Sequence, residues 1–245
     1  MLYPENYLEM NELANQCRRK WNIAEYDSID IFSLIQDKIK NLTIVFKSMD
    51  DEISGACYKK FNQIVIFLNS NHSLGRQRFT LAHELYHVKY DEVTFQICNI
   101  NSNDEIEKKA DDFASCLLMP NGALESYKKD NNIKNWDLDL IIQTEQFFQI
   151  SHSAMIWRIR NLEEITYEEY QNYKVHIKLE ASNRGYDLKL YTPYSNKEFS
   201  IGNYIRLTEK ALKCNKISQG KREELLLDAF CDDLVYKRNM GDLVE

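Results

Sequence analysis

Residues 83–87 read His-Glu-Leu-Tyr-His, inside the longer run RFTLAHELYHVKY. Two histidines four apart on a helix stand one turn above each other, so both rings can reach a single ion. The glutamate after the first of them points to a neighbouring face, where it can hold a water beside that ion. This residue set suits a zinc hydrolase, with His83 and His87 as neutral imidazole ligands and Glu84 as general base. A helix carrying two solvated or core histidines satisfies the same spacing, so the motif needs support from elsewhere in the chain.

Catalytic zinc takes a third protein ligand and keeps its fourth position open. The segment DEIEKKADDFASCLLMP, residues 104–120, offers one. Ile106, Ala110, Phe113, Ala114, Leu117 and Leu118 recur at helical spacing, and Pro120 ends the run. Glu107 and Asp111 lie one turn apart on that helix. Glu107 can complete the metal site, and Asp111 can accept the far N–H of a ligand histidine and fix its tautomer. The plainer alternative puts both acids on a solvated, charge-rich face, where Asp104, Glu105 and Asp112 are expected.

Together, RFTLAHELYH and EKKADDFASCLLMP resemble the ImmA/IrrE family of metallopeptidases, whose usual pattern is R-x-x-T-x-A-H-E-x-G-H followed by E-x-x-A-x-x-F-A-x-x-L-L-M-P. Arg78 or Arg76, Thr80, Ala82, His83, Glu84 and His87 match the first part. Glu107, Ala110, Phe113, Ala114, Leu117, Leu118, Met119 and Pro120 match the second. The likeness covers roughly residues 40–165. It implies Zn2+ held by His83, His87 and Glu107, and a gluzincin-like fold. It also implies a cytoplasmic bacterial or phage protein that cleaves a helix-turn-helix repressor. Tyr86 stands where the family usually has glycine, which suggests a tighter groove beside the zinc.

Stepping outward, residues 6–21 and 29–41 read as helices, and Leu42–Phe46 as a strand. Gly55–Tyr58 and Gln63–Leu68 read as a hairpin turning through Lys59–Asn62, being rich in β-branched and aromatic residues. The HExxH helix is expected to begin near Arg76. An edge strand just before it would let an extended substrate pair its backbone with the sheet. Residues 137–162 read as helix, turn, helix, with Ser151 as N-cap. Their second helix offers only Arg158 and Arg160 as basic groups, so packing or substrate docking is the better reading than DNA binding. Beyond residue 166, alternation over 173–190 reads as an antiparallel hairpin, followed by helices near 198–214 and 219–238.

The expected fold is therefore α+β. A zinc peptidase core over 1–135 combines a small antiparallel sheet with the HExxH helix and the Glu-ligand helix. A helix-turn-helix-like segment follows over 136–165, and then a hairpin-plus-helices module over 166–245 suited to partner docking. Six dispersed cysteines without CxxC spacing fit a reducing cytoplasm, and no apolar run reaches membrane-spanning length. A net charge of −7 argues against a broad DNA-binding surface. Tyr86, Tyr90 and His152 are the candidates for an oxyanion donor. The expected partner is a helix-turn-helix repressor encoded nearby. Rival readings are a non-proteolytic zinc regulator or toxin–antitoxin component that acts by binding a repressor, and a DNA-binding factor using residues 137–162.

Overall fold

The computed structural model describes residues 5–24, 26–91, 94–99 and 104–236. Five strands form one sheet: β1 (Leu42–Lys47), β2 (Ile53–Lys60), β3 (Gln63–Asn69), β4 (Phe95–Asn99) and β5 (Phe199–Gly202), in the order β4-β2-β3-β1-β5. The expected hairpin is present, and its turn is tighter than the sequence suggested. Only Phe61 and Asn62 lie between the strands, both at positive φ, as a two-residue hairpin turn that matches strand twist requires.

The sheet is mixed rather than antiparallel, because β1 runs parallel to β3. The cause lies at Asn69, a buried amide at the end of β3. Its Nδ2 donates to the carbonyls of Met49, Asp50 and Ile53, while its Oδ1 accepts from Met49 N. These bonds hold the 48–52 loop across the end of β3, so β2 joins on the far side. The strand preceding the HExxH helix is thus central, and the edges belong to β4 and β5.

Four helices build outward from this sheet. α1 (Glu5–Lys20) and α2 (Ile31–Lys38) precede it in the chain, α3 (Leu74–Tyr90) lies on β2 and β3, and α4 (Glu105–Leu118) packs between α3 and α1. α3 starts at Leu74, two residues before Arg76. Asp104 caps α4 by accepting from Ile106 N, which satisfies a donor that no helical carbonyl can reach. Ala110, Phe113, Ala114, Leu117 and Leu118 are fully buried on one face of α4. Truncating a side chain such as Phe113 to Ala would cost about 3–5 kcal/mol. Arg18 joins α1 to α4 by donating to Leu117 O at 2.8 Å.

α5 (Asn121–Asp130), α6 (Leu138–Phe148) and α7 (His152–Asn161) follow. Gln149 closes α6 in the left-handed region, and Ser151 caps α7 by accepting from Ala154 N, as expected. This turn is docked on α3, since Arg78 donates through Nε to Gln149 O and through Nη2 to Ile29 O. Arg158 is 1% exposed and donates to Ser115 Oγ, Met119 O and Asn121 Oδ1. One of the two arginines open to a DNA-reading role is therefore committed to the core.

The hairpin expected over 173–190 is not formed. Those residues run from the C-cap of α8 (Tyr167–Asn172) at Tyr173, through α9 (Ile177–Asn183), into a short 3-10 helix at Lys189–Tyr191. The free edge of β1 is taken by β5, with Phe46 opposite Phe199, so a hairpin earlier in the chain has no sheet to join. An isolated pair of strands is marginal in water. The helix expected from 198 yields its first residues to β5 and begins as α10 (Asn203–Lys213). Gly202 makes that corner at φ 110°, where a Cβ would run into the Leu42 carbonyl. The last expected helix divides into α11 (Gln219–Asp228) and α12 (Asp232–Tyr236), and its final residues, 237–238, lie outside the described residues. Among the described residues, no helix is long and apolar enough to cross a membrane.

Candidate metal centre

α3 and α4 bring the predicted ligand atoms together. His83 Nε2 lies 3.1 Å from His87 Nε2 and 3.2 Å from Glu107 Oε2, and His87 Nε2 lies 3.4 Å from Glu107 Oε1. Ligands of a tetrahedral zinc at ~2.0–2.1 Å stand about 3.3 Å from one another, so these three span the right triangle. All three side chains are buried.

The far nitrogens of both histidines are taken by carboxylates. His83 Nδ1 donates to Asp111 at 2.7 Å, as the sequence suggested, and His87 Nδ1 donates to Asp91 at 3.1 Å, which it did not. Asp91 follows His87 at i+4 on the same stripe, a spacing that could have signalled it. Lys59 secures this end of α3 by donating to the carbonyls of His87 and Asp91. A carboxylate accepts only, so each Nδ1 carries a proton, and once the protons at Nε2 are displaced their lone pairs face each other and Glu107. Such an arrangement calls for a cation.

The electrostatics agree. Burial alone would push His83 down, but its hydrogen bonds to Asp111 and Glu107 outweigh this and lift it to about 10. Burial opposes ionisation of Glu107, yet hydrogen bonds from His83 and His87 hold its carboxyl far below the usual range. The cluster holds a proton where a metal ion would satisfy the same groups.

Glu84 is fully buried, and neither of its oxygens accepts a conventional hydrogen bond. It faces the sheet, where Gly55 leaves room for it. A Cβ on Gly55 would stand 2.9 Å from Glu84 Oε1, 2.8 Å from Phe67 O and 2.7 Å from Thr80 Cγ2. Burial raises the Glu84 carboxyl, against the pull of His83. A carboxylate raised in this way takes up a proton more readily.

Two further groups reach the cluster from β4. Gln96 Nε2 donates to Glu107 Oε1 at 2.9 Å. Cys98 Sγ lies 3.9 Å from the same oxygen, and the potential ligand atoms of His83, His87, Cys98 and Glu107 all fall within 4.8 Å of one another. No spacing rule in the sequence joins Cys98 to the motif, because a strand and two helices meet there only in space.

The three oxyanion candidates are placed elsewhere. Tyr86 and Tyr90 follow the ligand histidines by three residues, about 60° round the helix. Their rings pack at tilted and edge-on angles against each other and Phe113, toward α1, where Glu9 and Cys17 act on their hydroxyls. Tyr86 therefore fills the core between α3 and α4 rather than narrowing a groove. His152 is buried with Nδ1 at 3.4 Å from Glu145 and Nε2 at 2.7 Å from Tyr173 O, so both ring nitrogens are engaged. Asp112, expected on a solvated face, is partly buried, and burial next to Asp111 pushes its carboxyl up to about 6.

The family model described as Peptidase_M78, IrrE N-terminal-like domain, matches residues 38–160, half of the chain. No curated protein matches the chain. Among solved structures, a Mycobacterium tuberculosis transcriptional regulator is similar at 13% identity and a TM-score of 0.46. The match covers 64% of this chain and 47% of that one, so the chain spans about half the length of that protein. The family model takes in β1–β3, the HExxH helix, the Glu107 helix and the α6–α7 pair, and on that match the chain belongs to the peptidase M78 family, the family of the IrrE N-terminal-like domain.

Proposed function

We propose that this protein is a zinc-dependent, gluzincin-like endopeptidase that cuts a helix-turn-helix repressor at one exposed site. The observation that carries the chemistry is the triangle of His83, His87 and Glu107 beside a buried Glu84 with no conventional hydrogen bond. A zinc ion held there would act as Lewis acid toward the scissile carbonyl and the attacking water. Glu84 takes the proton of that water as its oxygen adds to the carbonyl carbon, then delivers it to the amide nitrogen as the C–N bond breaks. Asp111 and Asp91 hold the imidazoles in the tautomer that leaves both Nε2 lone pairs free.

The substrate class rests on the family resemblance. The fold supplies a route for an extended segment, because β4 is an edge strand and carries Gln96 and Cys98 beside the cluster. Restriction to one partner fits binding energy drawn from a surface remote from the scissile bond. The region after residue 166 is a candidate for that surface, though its removal is not a clean test. β5 completes the sheet, and Tyr194 stacks on Phe46 and donates its backbone N–H to Gln77.

The test is incubation of zinc-loaded protein with the helix-turn-helix protein encoded nearest to it. A single cut is expected, with Glu84→Gln binding zinc yet cutting slower by a factor on the order of a hundred or more. A mobility shift without a cut would favour the non-proteolytic regulator. Rapid digestion of casein would refute the restricted substrate, and a Glu84→Gln variant cutting at the wild-type rate would refute the mechanism.

A further inference from the structure

We propose that Cys98 supplies a fourth ligand to the same metal, so that the resting centre is a closed His83–His87–Glu107–Cys98 site from which the thiolate must withdraw before a peptide carbonyl can enter. This rests on the metal-centre reading above and adds to it a device that keeps the peptidase latent.

The placement of Cys98 is the first argument. Its side chain is 2% exposed, its Sγ is 3.9 Å from Glu107 Oε1, and it falls within 4.8 Å of the imidazole nitrogens. Thiolate sulfur and an imidazole nitrogen on one tetrahedral zinc stand about 3.5 Å apart, so a small turn of the side chain would bring it into place. Gln96, two residues earlier on the same face of β4, already holds Glu107 by hydrogen bond, which aligns this strand with the cluster.

The surroundings of the thiol are the second argument. A cysteine kept for packing behaves as a small apolar side chain and suits apolar neighbours. Cys98 Sγ instead sits among the carboxylates of Glu84 and Glu107 and the thiol of Cys57. Coordination to a metal deprotonates a thiol. The step closes in atoms and charge: the S–H bond breaks, a sulfur–metal bond forms, and the proton goes to the adjacent Glu84 carboxylate. Departure of the thiolate takes the proton back to sulfur and reopens the fourth position.

The strand is the third argument. Among the described residues, β4 is paired on one side only, to β2, and that ladder carries a register shift between Ile53 and Gly55. Displacing it disturbs a single interrupted ladder, whereas any central strand would break two.

Metal-free full-length protein titrated with Co(II) gives the test. The wild type should develop a near-ultraviolet thiolate-to-cobalt charge-transfer band together with tetrahedral visible bands. Cys98→Ser should lose the ultraviolet band and keep the visible ones, and Cys57→Ser should keep both. Acetohydroxamate should perturb the cobalt spectrum of Cys98→Ala at concentrations roughly tenfold or more below those the wild type needs. Wild-type protein with visible bands that vanish in His83→Ala but with no thiolate band overturns this proposal and leaves the metal centre standing. A thiolate band that survives in Cys98→Ser, or equal hydroxamate sensitivity in the two proteins, overturns it also. Failure of the wild type to bind cobalt overturns the metal centre and this proposal together.

Discussion

Asp91 and Asp111 make the same kind of bond to His87 and His83, but their surroundings differ, and this sets unequal costs for losing them. Asp111 Oδ1 is 2.7 Å from His83 Nδ1 on a side chain 57% exposed, whereas Asp91 Oδ2 is 3.1 Å from His87 Nδ1 on a side chain 11% exposed. In Asp111→Ala, water reaches the vacated place and accepts the His83 N–H. Zinc affinity should then fall by about tenfold, or ~1.4 kcal/mol, the low end of effects from groups that orient ligands. In Asp91→Ala, the N–H of a His87 ring that is 1% exposed loses its acceptor in a place water enters poorly. An unsatisfied buried donor costs ~1–3 kcal/mol, so the fall should approach 100-fold, or ~2.7 kcal/mol. Because the two acids act on different imidazoles, the double variant should approach a 1,000-fold loss, close to additive. Competition for zinc against a fluorescent chelator at fixed pH measures all four proteins, and far-ultraviolet circular dichroism checks the fold. An Asp111→Ala loss equal to or larger than that of Asp91→Ala would refute the burial argument. Unchanged affinity in both would refute the orienting role altogether.

Gly55→Ala places a methyl against Thr80, Phe67 O and Glu84. It should cost about 1–3 kcal/mol in thermal unfolding, and peptidase turnover should fall further than stability because Glu84 must shift. Asp112 has its carboxyl raised from 3.8 to about 6 in the fold, so its charge opposes folding above pH 6 and that penalty is absent below the unfolded value. Asp112→Asn should therefore stabilise by about 1–2 kcal/mol at pH 7, allowing for its partial exposure, and by little at pH 3; equal gains at both would refute the assignment. His83 is raised from 6.5 to about 10, so its protonation favours the metal-free fold below 6.5 and is lost as pH rises through 10. Zinc must displace that proton, so zinc affinity should climb with pH across this window by up to about tenfold per unit, and a flat profile would show that no proton is released.

How much of the site was legible differs residue by residue. His83, Glu84 and His87 lie within one helical turn, and Glu107 and Asp111 within another, so their relative facing follows from helix geometry. Asp91 was within reach of the same rule. Cys98 and Gln96 were not, because β4 meets α4 only through the pairing of β4 with β2, and no local period encodes that. Tyr86 was misread because its family position beside a metal motif says nothing of which neighbour the next stripe faces; here it faces Phe113. The alternation over 173–190 is real, yet a period of two becomes a strand only where a free edge receives it.

The sequence by itself determined the two helices that hold the candidate site, the β2–β3 hairpin, the cap at Ser151, and the residue types that suit zinc. Those features depend on contacts within a few residues, where backbone geometry makes spacing equal to position. Tertiary structure alone decided that β3 is central, that Asn69 carries the chain across the sheet, that residues 199–202 close its edge, and that Cys98 lies beside His83, His87 and Glu107. Each of these turns on groups from distant parts of the chain competing for the same edge or the same buried space. That competition is settled by the packing of the whole chain, and spacing along the sequence does not record its outcome.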